Sequence, residues 1–212
     1  MMKIDKRSEP VAWMRYRKTC GATYQAIPEL VEALLDEQGY VCAYCECRIT
    51  AASDAHRVEH VKCRKRYPEL QLDYHNMVAC CSGNTGGLSH CDRSKGDRDI
   101  SFTPIDSRVA DSISYENDGT IKSGNSLWDD ELNHVLNLNL SIIKSNRRKT
   151  LTGVITELNK RKGQWRKGDI EKMIEKWESR HSLLVDGQCL SAYYPYRGIV
   201  VYYLNKKLRQ MR

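Results

Sequence analysis

Clustered cysteines constrain this chain more than any other feature of its sequence. The chain has nine cysteines, and most of them lie between Cys42 and Cys91. An odd number concentrated in one segment disfavours the disulfide framework of a secreted protein, whereas clustered thiols in a reducing compartment more often hold a metal. The isolated Cys20, Cys63 and Cys189 are expected to be small buried side chains. The cluster therefore predicts a domain that is held together by a metal ion.

The spacing of the clustered cysteines predicts a structural zinc site. A CxxC pair places two thiolates about 2.3 Å from one zinc ion, and a second pair completes the tetrahedron. The expected ligands are Cys42, Cys45, Cys91 and either Cys81 or Cys80. A redox dithiol would need a thioredoxin-like βαβ context, which the sequence lacks. Cys47 and the unused thiol of residues 80 and 81 are expected not to bind the metal.

Hydropathy and composition divide the chain into three regions. Residues 1–40 predict a lead-in and a helix, with Pro28 suited to its first turn and Gly39 to its end. Residues 41–105 alternate short apolar pieces with polar connections, and so little apolar material needs a metal to hold its short strands together. Residues 106–212 carry helical apolar stripes. The predicted fold class is α+β, with a small zinc-stapled core between an N-terminal helix and a mostly helical C-terminal region.

The C-terminal region contains three predicted helices. Apolar residues from Leu140 to Leu158 predict a long helix that ends near Gly163, and those from Ile170 to Trp177 predict another that begins after Gly168. The tail from Tyr196 to Leu208 fits either a strand or a helix, and we favour the helix.

Charge and hydropathy exclude several classes of protein. With 34 basic and 27 acidic residues the net charge is +7, and the excess concentrates between Lys144 and Arg180. Such a stripe is usually a solvated helical face, although it can also follow a phosphate backbone. No apolar run reaches the roughly 18–20 residues that a membrane span needs, and no secretory signal is visible. We therefore expect a soluble cytoplasmic protein without a membrane partner.

Three residues inside the cysteine-bracketed segment, and Asp92 directly after Cys91, suit phosphodiester hydrolysis. The attacking water must lose a proton, which suits a neutral histidine such as His60. The charge that develops on the phosphorane and the leaving oxygen suits a divalent cation held by carboxylates such as Glu59 and Asp92. Asn76 could orient the histidine. Alternatively, His75 is the working imidazole and Asn76 merely caps a turn.

Basic residues surround the Glu59–His60 pair. They are Arg57, Lys62, Arg64, Lys65 and Arg66. Residues of this kind often only solvate a loop. Next to candidate phosphodiesterase residues, we expect them to attract a nucleic acid, with binding that weakens steeply as salt rises.

The same segment resembles a known family. The motifs in chain order are Cys42-x-x-Cys45, Glu59-His60, Asn76, Cys81 and Cys91-Asp92-x-x-Lys95-Gly96. This order resembles the HNH endonucleases, which have a ββα-metal fold. The chain is similar in more detail to the PtuB-type HNH proteins of Septu and retron anti-phage systems, in the segments GATY, LLDEQGYVCAYCECRIT, EHVKCRKRYPELQLDYHNMVACC, SHCDRSKGDRDI, ISYENDGTI and LNLN. The resemblance covers most of the chain and becomes looser after residue 110.

The resemblance implies a role for each motif residue. His60 would be the general base, and Asn76 would orient it. Glu59 and Asp92 would bind the catalytic Mg²⁺ or Mn²⁺. The implied ligands of the structural Zn²⁺ are Cys42, Cys45, Cys81 and Cys91.

The roles of two motif residues, Lys95 and Glu59, stay open. Lys95 would contact a phosphate, unless it only caps its helix, and the predicted nucleic-acid contacts are then Arg64, Lys65, Arg66 and Lys95. Many HNH enzymes have Asp or His in place of Glu59, and a further ligand one turn beyond Asp92 is not evident. Asp73 and Asp97 are therefore additional candidate ligands.

Partners and substrate follow from the same resemblance. It implies an effector of defence against phage that acts with a PtuA-type ATPase of the ABC/SMC-like class, docked on the helices between Leu140 and Trp177. Retron relatives would add a reverse transcriptase and its msDNA. DNA is the favoured substrate, and RNA of the tRNA type is the alternative. A non-catalytic zinc-dependent module that binds nucleic acid is a rival hypothesis, and a thiol redox protein is a third.

Overall fold

The computed structural model describes residues 1–52, 54–160 and 165–211 of the chain. Its helices are α1 (Val11–Arg17), α2 (Pro28–Glu37), α3 (Cys91–Lys95), α4 (Ser107–Ser112), α5 (Ser126–Asp130), α6 (Ser141–Asn159), α7 (Lys167–Glu178) and α8 (Arg197–Gln210). Its strands pair as antiparallel hairpins: β1 (Arg57–His60) with β2 (Met77–Cys80), β3 (Asn84–Thr85) with β4 (Leu88–Ser89), β5 (Ile113–Tyr115) with β6 (Ile121–Ser123), and β7 (His181–Val185) with β8 (Gln188–Ala192). Helices and small sheets alternate along the described residues, which confirms the α+β class.

The predicted N-terminal helix is present as α2. Pro28 occupies its first turn, where a missing N–H group costs no helical hydrogen bond. Gly39 follows the helix with a φ of 60°, a backbone conformation that glycine adopts without strain. Leu30, Leu34 and Leu35 are fully buried, and the helix packs on β2.

A preceding helix, α1, was not predicted. It has seven residues, and Trp13 is its one buried side chain. The Nε1 atom of Trp13 donates to the carbonyl of Leu72 at 3.3 Å. So short a helix is not stable alone in water, so its contacts with the rest of the molecule must form it.

The β1–β2 sheet carries two of the predicted site residues, Glu59 and His60, at the end of β1. Its register places Glu59 opposite Val78, and β2 is buried along its whole length. The loop of residues 61–76 connects the two strands. After β2, the β3–β4 hairpin leads into α3, which starts at Cys91.

The C-terminal helices agree with the predictions where the structure describes them. Helix α6 runs to Asn159, and the expected end near Gly163 lies outside the described residues. Helix α7 begins at Lys167 and includes Gly168 in its first turn. The tail is helix α8, so the strand alternative for it is wrong. Its β-branched residues 199–201 are buried, and α8 packs against α7, which outweighs their strand propensity.

Two hairpins in the C-terminal region, which is mostly helical over the described residues, were not predicted. The β7–β8 turn is Asp186-Gly187, whose φ angles of 47° and 80° suit a type I′ turn, and this dipeptide was an available sequence signal. In the β5–β6 hairpin, the side chain of Asn139 accepts from the N–H of Ile121 and donates to its carbonyl, both at 2.9 Å. That contact depends on the tertiary structure, so local sequence patterns gave no sign of it.

One apolar core runs through all three predicted regions. It includes Trp13 of the lead-in, Met77 of the central sheet and Leu204 of α8. Polar contacts join the same regions, since Arg48 donates to the carbonyl groups of Gly39 and Tyr193. In the described part of the chain, no helix has both the length and the apolar character needed to cross a membrane.

The three isolated cysteines differ in their exposure to solvent. Cys63 is buried, as expected, but Cys20 and Cys189 are exposed, so the prediction of buried side chains is wrong for these two. Cys20 follows the short helix α1. Cys189 pairs across the β7–β8 hairpin with Leu184, which is 74% exposed. An isolated two-stranded sheet has no second layer to cover its outer face.

Candidate metal centre and histidine-carboxylate cleft

Four cysteines converge on one point. The Sγ atoms of Cys42, Cys45, Cys81 and Cys91 all lie within 4.8 Å of one another, and all four residues are buried. Two of the sulfur–sulfur distances, Cys42 to Cys91 and Cys45 to Cys81, are 3.9 and 3.8 Å. Thiolates arranged tetrahedrally about 2.3 Å from a zinc ion are separated by about 3.8 Å. The cluster can therefore hold a structural metal such as zinc, and Cys81 rather than Cys80 completes it.

Local backbone geometry builds the two halves of this four-cysteine cluster. In the first half, the N–H of Cys42 donates to the carbonyl of Cys47, and the N–H of Glu46 donates to the carbonyl of Cys42. In the second half, Gly83 has a φ of 68°, and a Cβ atom there would lie 2.6 Å from the carbonyl oxygen of His90. Only glycine fits this close approach. It lets the chain turn back after Cys81, so that Cys81 and Cys91 both reach the cluster.

A buried histidine that was not predicted from the sequence supports the cluster. The Nδ1 atom of His90 lies 3.2 Å from Sγ of Cys91 and 3.8 Å from Sγ of Cys81. Its Nε2 atom lies 3.1 Å from the hydroxyl oxygen of Thr85. An imidazole N–H that faces a thiolate donates a hydrogen bond, which stabilises the negative charge on sulfur. The position of His90 directly before a ligand was the available signal.

Glu59 and Asp92 form a pair of carboxyl groups close to the cluster. Glu59 is 4% exposed at the end of β1, and Asp92 lies in the first turn of α3. Burial, followed by a hydrogen bond with Asp92, raises the pKa of Glu59 to about 8, against the opposing charge of Lys95. Tyr44 donates its hydroxyl to Oε1 of Glu59 at 3.1 Å. Two carboxyl groups in contact must share either a proton or a cation.

Lys95 has a different place from the one that the resemblance implies. Its side chain is fully buried, with Nζ 2.9 Å from Oε1 of Glu59. The same atom donates to the carbonyl of His60 at 3.2 Å. The ammonium group therefore cannot reach a phosphate in this arrangement, and the expected nucleic-acid contact is corrected to an internal ion pair. A lysine near a carboxylate in the fold has no local sequence signature, which explains the error.

His60 lies at the wall of the cleft that Glu59 and Asp92 also line. Its Nε2 atom is 3.0 Å from the carbonyl oxygen of Gln71, and its ring meets Tyr24 edge to face with the centroids 4.5 Å apart. Burial lowers the pKa of His60 to about 4, so the ring is neutral at pH 7. A neutral ring that donates from Nε2 to the Gln71 carbonyl keeps Nδ1 as a proton acceptor.

Among the described residues, the Asn76 side chain hydrogen-bonds to loop backbone and not to His60, the histidine that it was expected to orient. Its Oδ1 atom accepts from the N–H of Lys62 at 2.8 Å, and its Nδ2 atom donates to the carbonyl groups of Lys62 and Leu70 at 2.9 and 3.3 Å. Asn76 thus fixes the loop whose Gln71 carbonyl holds His60, and its expected role is corrected to an indirect one. A backbone carbonyl can belong to any residue type, so the sequence gave no sign of Gln71.

The alternative imidazole, His75, lies elsewhere. It is exposed and lines a separate cavity with Glu9 and Arg17, away from the carboxyl pair. Asp73, one of the additional candidate ligands, caps the turn before Asn76 by accepting from the N–H of His75 at 2.9 Å. His75 and Asp73 belong to one exposed turn that lines the separate cavity, which argues against a catalytic or metal-binding role for either residue in the cleft.

Basic residues line the open side of the cleft, whose volume is about 510 Å³. Arg64 is exposed, and its guanidinium carbon lies 4.6 Å from the centroid of the Tyr24 ring. Lys65 pairs with Asp97 at 3.3 Å, and Asp97 also lines the cleft. Arg66 pairs with Asp99 at 2.9 Å. Ion pairs hold Lys65 and Arg66. Arg64 and Arg57, which also lines the cleft, have no such pair among the described residues and are available to an anion.

No family model matches the chain. The chain is 31% identical over 87 residues to Septu protein PtuB of Bacillus thuringiensis. The matched part is 41% of this chain and 31% of that protein, so the match spans about a third of the length of the relative. The similarity supports a relationship to the Septu PtuB family.

The cleft brings together groups with complementary chemistry. Neutral His60 can accept a proton, and the Gln71 carbonyl can stabilise the imidazolium that forms. Glu59 and Asp92 are hard oxygen donors of the kind that Mg²⁺ and Mn²⁺ prefer. Arg64 offers a charged donor at the rim. The arrangement can therefore activate a water molecule beside a bound anion.

Proposed function

We propose that this chain is a metal-dependent HNH-type endonuclease that hydrolyses phosphodiester bonds, and that it acts in a Septu-type system of anti-phage defence. The observation that carries the proposal is the neutral His60, held by Gln71, in one cleft with the Glu59–Asp92 pair. The β1–β2 hairpin and α3 supply these side chains, which is the arrangement expected of a ββα-metal site.

Two metal ions complete this proposal. Zn²⁺ would bind the four-cysteine cluster, whose sulfur–sulfur distances fit a tetrahedral site. Mg²⁺ or Mn²⁺ would bind Glu59 and Asp92, where it would offset the negative charge of the departing oxygen. The fit rests on the donor chemistry. Burial and the neighbouring Asp92 raise the pKa of Glu59, so the carboxyl pair favours a bound proton, and a divalent cation would take the place of that proton.

His60 is the proposed general base. Its Nδ1 atom would take the proton of the attacking water while Nε2 stays hydrogen-bonded to the Gln71 carbonyl. That hydrogen bond fixes the orientation of the ring and stabilises the positive charge it acquires. The edge of the Tyr24 ring limits ring rotation from a second side. Arg64 would bind a phosphate that flanks the scissile one.

The substrate and partners belong to the same proposal. DNA is the favoured substrate, with RNA of the tRNA type as the alternative, because a cleft of this kind recognises the phosphate and not the sugar. A PtuA-type ATPase is the proposed partner. In a retron setting, a reverse transcriptase and its msDNA would join the complex.

One contact favours a second candidate function. Lys95 pairs with Glu59 at 2.9 Å and so satisfies the carboxyl group without a divalent cation. A zinc-dependent module that binds nucleic acid and has no catalytic activity would keep this ion pair permanently. The two functions differ in what they require of His60.

The test compares cleavage by the parent with that by His60→Ala, each in complex with the ATPase partner. Labelled plasmid, single-stranded DNA and total RNA are incubated together with Mg²⁺ or Mn²⁺. We expect His60→Ala to lose at least about 100-fold of the cleavage rate while keeping its fold, zinc content and nucleic-acid affinity. His75→Ala is the matched control and should cleave like the parent. A folded His60→Ala protein that cuts as fast as the parent would rule out the catalytic role.

A further inference from the structure

A buried guanidinium group in α6 has no acidic hydrogen-bond partner. Only 1% of the surface of Arg147 is exposed. Its Nη1 atom donates to the carbonyl groups of Leu138 and Gly119, at 2.9 and 3.2 Å. In the described part of the chain, its buried Nε and Nη2 atoms have no hydrogen-bond partner. A buried cation without compensating negative charge is strongly destabilising, so the structure must supply that charge nearby.

Short hydrogen-bonded connections lead from Arg147 to one half of the four-cysteine cluster. The N–H of Cys91 donates to the carbonyl of Leu136 at 2.8 Å. Two residues later, the carbonyl of Leu138 accepts from Arg147. The segment 136–138 therefore contacts both the backbone of Cys91 and the guanidinium group of Arg147.

A second connection leads to the other half of the cluster. Glu46 directly follows Cys45, and its carbonyl accepts from the N–H of Tyr196 at 2.9 Å. The hydroxyl of Tyr196 accepts from the side chain of Asn146, the residue before Arg147, at 3.2 Å. The turn of α6 that carries Arg147 thus adjoins chain segments from both halves of the cluster.

Electrostatic interactions agree with this placement. Burial lowers the pKa of Arg147, while negative charge at Cys45, Glu46 and Cys91 acts in the opposite direction. Glu46 is one source of this charge, because its buried carboxylate accepts only from the neutral N–H groups of Met2 and Gly198 among the backbone donors described, both at 3.2 Å, and keeps its negative charge. The cluster supplies the larger charge, since four thiolates around one Zn²⁺ carry a net charge of −2, whereas a carboxylate carries −1.

We propose that Arg147 is the charge-balancing residue of the four-cysteine metal centre, where its guanidinium group offsets the net negative charge of the thiolates and couples metal binding to the docking of α6. This inference rests on the zinc binding of the proposed function and does not depend on nuclease activity. It also accounts for a buried arginine whose partners in the described residues are two neutral carbonyl groups and the ring of Tyr115, with the guanidinium carbon 5.9 Å from the ring centroid.

The test measures zinc affinity by competition with a chromogenic chelator. Arg147→Met removes the charge but keeps a long side chain, and we expect its affinity for zinc to fall at least about tenfold. Arg147→Lys keeps the charge and should stay within about threefold of the parent. Arg148→Met, on the exposed neighbour, should match the parent. Equal affinities of the parent and Arg147→Met would overturn the inference, whereas a parent that binds no zinc would reject the zinc assignment itself.

A second background separates charge from packing if Arg147→Met folds poorly. Cys45→His lowers the net charge of the centre from −2 to −1, so less compensation is needed. We expect Arg147→Met to weaken zinc binding or folding less in the Cys45→His background than in the parent. An equal loss in both backgrounds would mean that Arg147 acts through packing alone, and the inference would be wrong.

Discussion

The four-cysteine cluster and the histidine-carboxylate cleft meet at α3, which supplies Cys91 to the first and Asp92 to the second. The cluster is closed, with four ligands of one kind at the spacing of a tetrahedral metal site. The cleft is open and mixes an imidazole, two carboxyl groups and basic residues. A structural metal needs only its protein ligands, whereas a catalytic cation must keep positions free for water and substrate. Under the proposed function, one short helix serves stability on one side and chemistry on the other.

The comparison predicts that the cluster matters most for folding. Cys42→Ser should lose about one equivalent of zinc per chain and its cooperative thermal unfolding transition, because structural zinc contributes about 10 kcal/mol or more in small domains. Cys47→Ser, which alters a neighbouring thiol outside the ligand set, should keep both. Metal analysis and calorimetry provide the measurement. Similar zinc contents in the two variants would contradict the assigned ligand set.

Changes in the cleft should affect activity and leave the zinc in place. Glu59→Gln removes a negative ligand while preserving shape, and we expect cleavage to fall about 100-fold or more. The control is Glu69→Gln, on an exposed residue of the loop between β1 and β2, which should cleave normally. If Glu59→Gln also lost its zinc, the two sites would not be independent.

The pH dependence of cation binding distinguishes the two sites further. With the pKa of Glu59 raised to about 8, the carboxyl group holds a proton at lower pH, and a cation must displace it. The apparent Kd of Mn²⁺ should therefore weaken by up to about tenfold for each pH unit below 8. Calorimetric titrations of zinc-loaded protein between pH 6.5 and 8.5 would measure this. Glu59→Gln should lack the slope, and a flat profile in the parent would refute the raised pKa.

The smallest predicted effect concerns the orientation of His60. Tyr24→Leu removes the aromatic edge contact, worth about 0.5–1.5 kcal/mol, so kcat should fall about two- to tenfold. Reduced burial should also bring the pKa of His60 up from about 4 towards its ordinary value, which moves the acid limb of the pH–rate profile to higher pH. Tyr24→Phe keeps the ring and should behave like the parent. An unchanged profile in Tyr24→Leu would show that the ring does not position His60.

The cluster and the cleft also differ in how well the sequence predicted them. Thiols with fixed spacing predict a metal site, and within the ligand set only the choice between Cys80 and Cys81 needed the fold. The supporting contact of His90 was not predicted. The cleft depends on contacts between distant segments, such as the Gln71 carbonyl on His60 and the ammonium group of Lys95 on Glu59. Such contacts leave no periodic or spacing signal in the chain.

The elements of the fold also divide into those with local sequence signals, which can be predicted, and those that depend on distant contacts, which cannot. Helix α2 has a strong apolar repeat with Pro28 at its start, and the sequence predicted it closely. Helix α1 and the β5–β6 hairpin depend on Trp13 and Asn139, which act through partners far along the chain. The β7–β8 hairpin could have been found from Asp186-Gly187.

Anomalous diffraction from crystals grown with Mn²⁺ tests most directly whether the chain holds two distinct metals. Data collected on either side of the zinc and manganese absorption edges identify each ion and locate it. We expect zinc at the centre of the four sulfur atoms, and manganese between the carboxyl groups of Glu59 and Asp92 with Lys95 displaced from Glu59. Zinc in the cluster with no manganese at the carboxyl pair, and Lys95 still bound to Glu59, would contradict the catalytic half of the proposal.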